Sequence, residues 1–317
     1  MNHPGPVTIG TGVPLPRVGL GGAALGNLGR PMADEDADDL LAAAWAAGMR
    51  YFDTAPHYGL GLSELRLGRF LRTRPRQDYV ISTKVGRLLE DTGTTRADDE
   101  GFAVASPLVR RRDYSRDGTL RSLEASLARL GLDRVDVVLV HDPDDHWREA
   151  MEGAYPCLED LRGQGVVGAI GVGMNQWQVP AAFVRETDID CVLLAGRYTL
   201  LDRSAGDELL PLCAERGVAV VAAGVFNSGL LADPARSATF DYAPAPAALV
   251  ERARRLQEVC ERYGATLPEA ALAFPLRHAS VRSVLIGAMS SAQLAQNLGS
   301  FGRELPAAFW AEIEASS

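Results

Sequence analysis

The sequence predicts a (β/α)8 barrel (TIM-barrel class) with an N-terminal β-hairpin and long βα loops, and three observations lead there. Eight short apolar runs of strand character alternate with helical runs. Most of their connections are short, as parallel strands with helices packed outside require. The two long connections, 86–114 and 225–248, both follow strands, the side on which a barrel builds its functional loops. An open doubly wound sheet is the alternative use of the same alternation. The whole chain, 1–317, reads as one domain, a length such barrels commonly reach.

In chain order, residues 7–22 (VTIGTGVPLPRVGLGG) alternate around a Thr-Gly turn as a hairpin and lead into a strand at Val18–Leu20. The remaining predicted strands are Arg50–Thr54, Tyr79–Val85, Val135–His141, Ala169–Gly173, Cys191–Tyr198, Ala219–Gly224 and Ser283–Gly287. Helical patterns fill 33–48, 61–73, 115–131, 146–165, 177–187, 204–217, 245–264 and 290–299. Several stop at a glycine, as at Gly131, Gly165, Gly217 and Gly264, where a left-handed residue ends a helix at little cost. Two further helices, 267–279 and 306–315, carry no evident chemistry. The two long connections read as structureless lids over the barrel mouth.

Composition narrows the function. The chain is 47% hydrophobic and 23% charged, enough apolar material for a large core. A formal net charge of −9 argues against nucleic acid and anionic membrane as partners, since both select clustered Lys and Arg. The short basic run Arg110–Arg112 reads as a solvated loop. The N-terminus MNHPGPVTIG lacks a positive segment followed by an apolar one, and no apolar run approaches the ~18 residues that span a bilayer. The expectation is a cytoplasmic enzyme, monomeric or weakly homo-oligomeric, acting on a small molecule. Cys157, Cys191, Cys213 and Cys260 stand too far apart for a zinc or disulfide framework and are expected as buried thiols.

Catalytic groups in a barrel belong at the C-terminal ends of several strands. Asp53, Lys84 and His141 occupy those places on the second, third and fourth predicted strands, and Tyr58 hangs in the loop after the second. A free tyrosine has a pKa near ~10, and a neighbouring ammonium lowers it by favouring the phenolate. Lys84 is placed to do this, Asp53 to hold Lys84, and His141 to hydrogen-bond a substrate oxygen. Such a set moves a proton between an alcohol and a carbonyl. The accompanying hydride needs a nicotinamide, because no side chain accepts one. The simpler readings are Asp53 as a helix cap, Lys84 as a surface charge, and His141 as a metal ligand with Asp144 or His146. The acidic turn after His141 suits a cap for the next helix better than a metal, so no metal is expected. GLGGAALG, residues 19–26, imitates a dinucleotide fingerprint, but Asn27 to Pro31 interrupt it, and a sharp turn at the barrel mouth accounts for the glycines.

The segments FDTAPHYG, ISTKVG, VDVVLVHDPD, AIGVGMNQW and SVLIGAMSSAQLAQNL resemble the signature segments of the aldo-keto reductases, over essentially the whole chain. The resemblance implies a barrel that binds a nicotinamide dinucleotide without a Rossmann fold. It assigns acid/base work to Tyr58, supported by Lys84, Asp53 and His141. HDPDDHW, GVGMNQWQ and LAGRYTLLD are similar to the family's aldose dehydrogenase branch. That branch oxidises the anomeric hydroxyl of a pyranose, here L-fucose-like or D-arabinose-like, to a lactone, with Tyr58 as base. The alternatives are a pyridoxal 4-dehydrogenase-like activity, a general carbonyl reductase, and a non-enzymatic cofactor sensor.

Departures from the family pattern bear on the cofactor. Where NADPH-using members carry Lys, Ser and Arg ahead of an Asn matched by Asn297, this chain has Gly287, Ala288 and Gln293. Without those cations a 2′-phosphate loses its charge-assisted contacts, which favours NAD over NADP. Backbone amides near Ser290 and Ser291 suit the pyrophosphate or ribose side. Gly21 and Gly22 fall where the family approaches the nicotinamide. Of the usual carboxamide clamp only Asn175 remains, since Met174 and Ala195 occupy the other places, and Phe226 is the candidate for ring stacking. Trp147, Trp177 and Tyr198 either line a pocket or pack loops.

Overall fold

The computed structural model describes residues 6–236, 239–241 and 243–316. Eight parallel strands close into a barrel: β1 (Val18–Gly21), β2 (Tyr51–Asp53), β3 (Val80–Val85), β4 (Val137–His141), β5 (Ala169–Met174), β6 (Cys191–Ala195), β7 (Ala219–Ala223) and β8 (Val281–Ile286). Each strand pairs with its neighbour in sequence, and β8 pairs with β1 through Val284–Val18 and Ile286–Leu20. The order is what right-handed βα crossovers produce when every helix packs back outside its own strand.

Alternation along each strand decides what faces inward. Tyr51, Val80, Val137, Leu139, Leu193, Val221 and Leu285 form one cluster inside the barrel. Phe52, Ile81, Val138, Ile170, Val192, Val220 and Val284 belong to the other, between sheet and helices. The hairpin Val7–Ile9 with Val13–Leu15 closes the barrel floor, its Ile9, Val13 and Leu15 joining the inner cluster. Thr11 in its turn donates to the Gly168 carbonyl from both N (2.8 Å) and Oγ1 (3.0 Å).

The outer ring is α1 (Asp34–Ala46), α2 (Leu62–Leu71), α3 (Arg116–Leu130), α4 (Tyr155–Gly163), α5 (Gln178–Glu186), α6 (Leu209–Arg216), α7 (Ala247–Arg262) and α8 (Ser291–Gly299). The extra helices lie at Leu267–Ala273 and Ala307–Ala315 and pack with α7 in a satellite cluster around Phe309 and Trp310. The cysteines are buried free thiols. No helix among the described residues is long and apolar enough to cross a membrane.

Two expectations are corrected. The connection 86–114 is no structureless lid, because Arg87–Ala97 and Ala105–Arg112 pair as an antiparallel hairpin. Its strands bring backbone partners that a loop of that length would lack. Arg110–Arg112 is therefore not a solvated loop either. Arg110 is buried against Asp98 and donates to the His57 carbonyl at 2.9 Å, while Arg111 pairs with Glu90. The connection 225–248, which includes residues outside the described set, holds a short pairing of Thr239–Phe240 with Ala243–Pro244.

Helix α2 packs on α3 through Gly68, where an added Cβ would lie 2.2 Å from the Leu130 carbonyl oxygen. Intrinsic helix propensity alone favours Gly68→Ala by up to about 1 kcal/mol. The steric clash dominates, so the substitution is expected to destabilise by about 1–3 kcal/mol. A urea midpoint above that of the parent protein would show that the helices part freely.

Candidate active site

Inward parity carries the chemistry to the barrel mouth. On β2, Tyr51 and Asp53 share the inner face. On β3, Val80, Ser82 and Lys84 do so, and on β4, Val137, Leu139 and His141. Register sets Asp53 beside Ser82, and Lys84 beside Leu139. Lys84 Nζ donates to Asp53 Oδ2 at 2.8 Å, to the Thr54 carbonyl at 2.9 Å and to Tyr58 Oη at 3.1 Å. Its three ammonium protons are thereby all engaged. Ser82 Oγ donates to the other carboxylate oxygen of Asp53 at 2.7 Å and lies 3.1 Å from Tyr51 Oη.

Lys84 is 1% exposed. Burial alone would depress its ammonium, but Asp53 and Tyr58 outweigh burial and raise its pKa above the ordinary lysine value. A fixed positive charge thus stands against the phenol oxygen, where it stabilises negative charge.

Local packing holds the tyrosine loop. Gly26 and Gly59 meet backbone to backbone, and a Cβ on Gly26 would lie 2.5 Å from the Tyr58 carbonyl carbon. Ser63 at the start of α2 donates to the Gly22 carbonyl at 2.7 Å and contacts Thr54 Oγ1 at 2.8 Å. The buried Glu64 accepts from Thr83 (2.8 Å) and Arg129 (2.6 Å), tying α2 to β3 and α3.

His141 ends β4 with its ring 5.9 Å from that of Tyr58, edge to face. Its Nδ1 is buried without a hydrogen-bond partner among the described residues, and its Nε2 lies 3.4 Å from Asp142 Oδ2. Burial first, then the charges of Arg87 and Lys84, hold its pKa well below the ordinary value. His57 behaves alike, lowered to about 2 by burial and then Arg87. Both imidazoles are neutral, suited to hydrogen bonding rather than to charge.

Sequence reasoning did not single out Arg87, Glu100, Phe102, His57 or Asp142. Arg87 binds Asp142 at 2.8 Å and Glu100 at 3.1 Å and reaches His57 Nδ1 at 3.1 Å. The Phe102 ring lies 6.0 Å from that of Tyr58. Arg87, Glu100 and Phe102 come from the hairpin, whose pairing no local sequence pattern shows. His57 and Asp142 directly adjoin Tyr58 and His141, and that adjacency was the available signal.

The candidate cofactor residues lie on the rim. Gly21 ends β1 in register with Asp53, and Gly22 N donates to the Asp53 carbonyl at 2.8 Å. Asn175 follows β5 and lines a small recess with Ala195, Gly196, Gly224, Asn227 and Asp241. Asn227 Oδ1 is buried there without a partner among the described residues. Phe226 is half-buried and packs against both outer clusters. Tyr198 packs on Phe274 at 5.0 Å, and Trp177 against the main core. Gly287 follows β8, and its carbonyl accepts from Asn297 at 3.2 Å. Ser290 caps α8 by accepting from Gln293 N (3.2 Å), while Gln293 Oε1 accepts from Met289 N (2.7 Å). Ser291 begins the helix, where the first amides lack intrahelical acceptors.

The two neutral histidines set a pH dependence. An ordinary histidine takes a proton near 6.5, and folded His57 does so only near 2. Below 6.5 the unfolded chain binds protons that the native imidazoles do not, so this stability is complete above 6.5 and declines as pH falls. Asp142, raised to about 6 by burial against the pull of Arg87, opposes the trend below pH 6 by protonating first in the native state. Urea midpoints are expected to drop on acidification below 6.5, and His57→Gln to make the drop shallower. An unchanged slope in that variant would count against a neutral buried His57.

Comparison with known proteins shows the family. A model of the Aldo/keto reductase family matches residues 17–317. The chain is 45% identical to D-threo-aldose 1-dehydrogenase from Pseudomonas sp, covering 99% of this chain and 97% of that one. It is 43% identical to pyridoxal 4-dehydrogenase from Microbacterium luteolum, covering 96% and 94%. Its fold superposes on the holo form of an aldo-keto reductase from Bacillus halodurans with a TM-score of 0.80 at 24% identity, covering 99% and 97%. The chain belongs to the aldo/keto reductase family, NAD(P)-dependent oxidoreductases that act on CH–OH groups.

Proposed function

We propose that this protein oxidises the C1 hydroxyl of an aldose, of the L-fucose or D-arabinose type, to the lactone, with NAD as the preferred hydride acceptor. The observation that carries the reading is Lys84 Nζ, held by Asp53 at 2.8 Å and donating to Tyr58 Oη at 3.1 Å. The 45% identity to an enzyme named for aldose C1 oxidation supports the substrate class.

Tyr58 acts as the general base and takes the proton of the C1 hydroxyl. Lys84 stabilises the phenolate that accepts it, and Asp53, held by Ser82, keeps Lys84 charged and aimed. Neutral His141 hydrogen-bonds the same substrate oxygen as it becomes a carbonyl. Nicotinamide, when bound, supplies the hydride acceptor that no side chain provides. The C1–H electron pair would pass to that acceptor, and the O–H proton leaves by Tyr58.

The rim fits such a cofactor. The α8 N-terminus suits an anionic or ribose oxygen, and Asn227 Oδ1 beside Asn175, without a partner among the described residues, suits an amide N–H. Gly287, Ala288 and Gln293 bring no charge to the place where a 2′-phosphate would sit. Phe226, Gly21 and Gly22 complete the proposed cofactor surface. The 43% identity to pyridoxal 4-dehydrogenase keeps a pyridoxal-type alcohol as the second reading.

Initial rates of NADH formation with L-fucose, D-arabinose, L-galactose and pyridoxal test the substrate class. Turnover of the sugars above pyridoxal is expected, and turnover of pyridoxal alone would replace the reading. Replacing NAD by NADP is expected to lower kcat/KM about tenfold to a hundredfold, the size of a missing charge-assisted contact. Tyr58→Phe is expected to lower kcat by about 10²–10⁴ with KM little changed. A Phe variant as fast as the parent would remove Tyr58 from the chemistry.

A further inference from the structure

Asp142 is held in an unfavourable backbone conformation beside the catalytic groups. Its φ is 37°, in the left-handed region that costs a non-glycine residue energy. Tyr114 Oη lies 2.8 Å from the carbonyl oxygens of both His141 and Asp142 and shares its one proton between them, and Asp142 N donates to the Gly173 carbonyl at 3.0 Å. The surroundings therefore impose a strained geometry, which concentrates at functional positions.

The strain aims the carboxylate. Asp142 Oδ2 lies 3.4 Å from His141 Nε2 and 2.8 Å from Arg87 Nη2. Arg87 is 7% exposed and pinned on its other side by Glu100, so it fixes the carboxylate rather than following it. Arg87 engages Oδ2 of this carboxylate, and the Asp142 side chain keeps 19% of its surface open. An acceptor is thus held ready next to the imidazole that receives the reacting oxygen.

We propose that Asp142, backed by Arg87, is a specificity-determining residue that accepts a hydrogen bond from the hydroxyl on the carbon next to the one oxidised. The inference rests on the aldose reading above and deepens it. Oxygens on adjacent carbons of a sugar stand about a hydrogen-bond length apart, the scale of the Asp142 to His141 spacing. An ionised carboxylate only accepts, so its ligand must donate. Arg87 balances the charge, so a neutral hydroxyl suits the site better than a cation. Substrates without that hydroxyl leave a desolvated carboxylate oxygen unpaired and are disfavoured.

The test compares D-arabinose with 2-deoxy-D-ribose, the same sugar without its 2-hydroxyl, in the parent protein and in Asp142→Gly and Asp142→Asn. Glycine and asparagine both tolerate the left-handed conformation. The parent is expected to prefer D-arabinose in kcat/KM by about tenfold to a hundredfold. Asp142→Gly should bring that ratio to within about threefold by losing activity on D-arabinose alone, while Asp142→Asn retains part of it. Because the ratio is taken within one preparation, a partly unfolded variant does not alter it. A parent that oxidises both sugars equally, or an Asp142→Gly variant that keeps the parent ratio, overturns this inference and leaves the aldose reading standing. A parent inactive on every aldose but active on pyridoxal overturns both.

Discussion

The buried ion pair between Lys84 and Asp53 is the interaction on which the site depends. An ammonium that is 1% exposed has left water at a cost that only a close, fully hydrogen-bonded partner offsets. Lys84 meets that condition with three acceptors inside the barrel mouth. A well-packed apolar pair would stabilise such a position at least as well, so stability does not explain the pair. What it provides is a positive charge that cannot move away from Tyr58, in a place where water does not screen it.

Around that pair the barrel supplies rigidity in layers. Ser82 and Tyr51 back the carboxylate from within, and Thr54 supplies the third acceptor from the strand end. Ser63 and Glu64, at the start of the next helix, fasten the tyrosine loop to β1, β3 and α3. The Ser-Glu pair in that segment therefore acts as a brace for Tyr58. Arg66 does similar work one turn later, donating to the Leu25 and Met32 carbonyls of the loop after β1.

The hairpin between β3 and α3 gives the mouth a second wall. It delivers Arg87 beside Asp142 and Phe102 beside Tyr58, and Arg110 grips the carbonyl of His57. Basic and acidic groups pair there, Arg87 with Glu100, Arg110 with Asp98 and Arg111 with Glu90.

The sequence by itself determined the barrel, the order of its strands and the positions of Asp53, Lys84 and His141. Those follow from strand alternation and chain order, which are local and legible one segment at a time. Asp142 and His57 stood next to recognised residues and were still passed over, because adjacency in a chain does not say which way a side chain turns. Only the tertiary structure decided that residues 87–112 pair as a hairpin, that Arg87 reaches Asp142 across 55 positions, and that Tyr114 holds the backbone between them. Antiparallel pairing and ion pairs at such separation are set by the closure of the whole barrel. No window of sequence contains both partners.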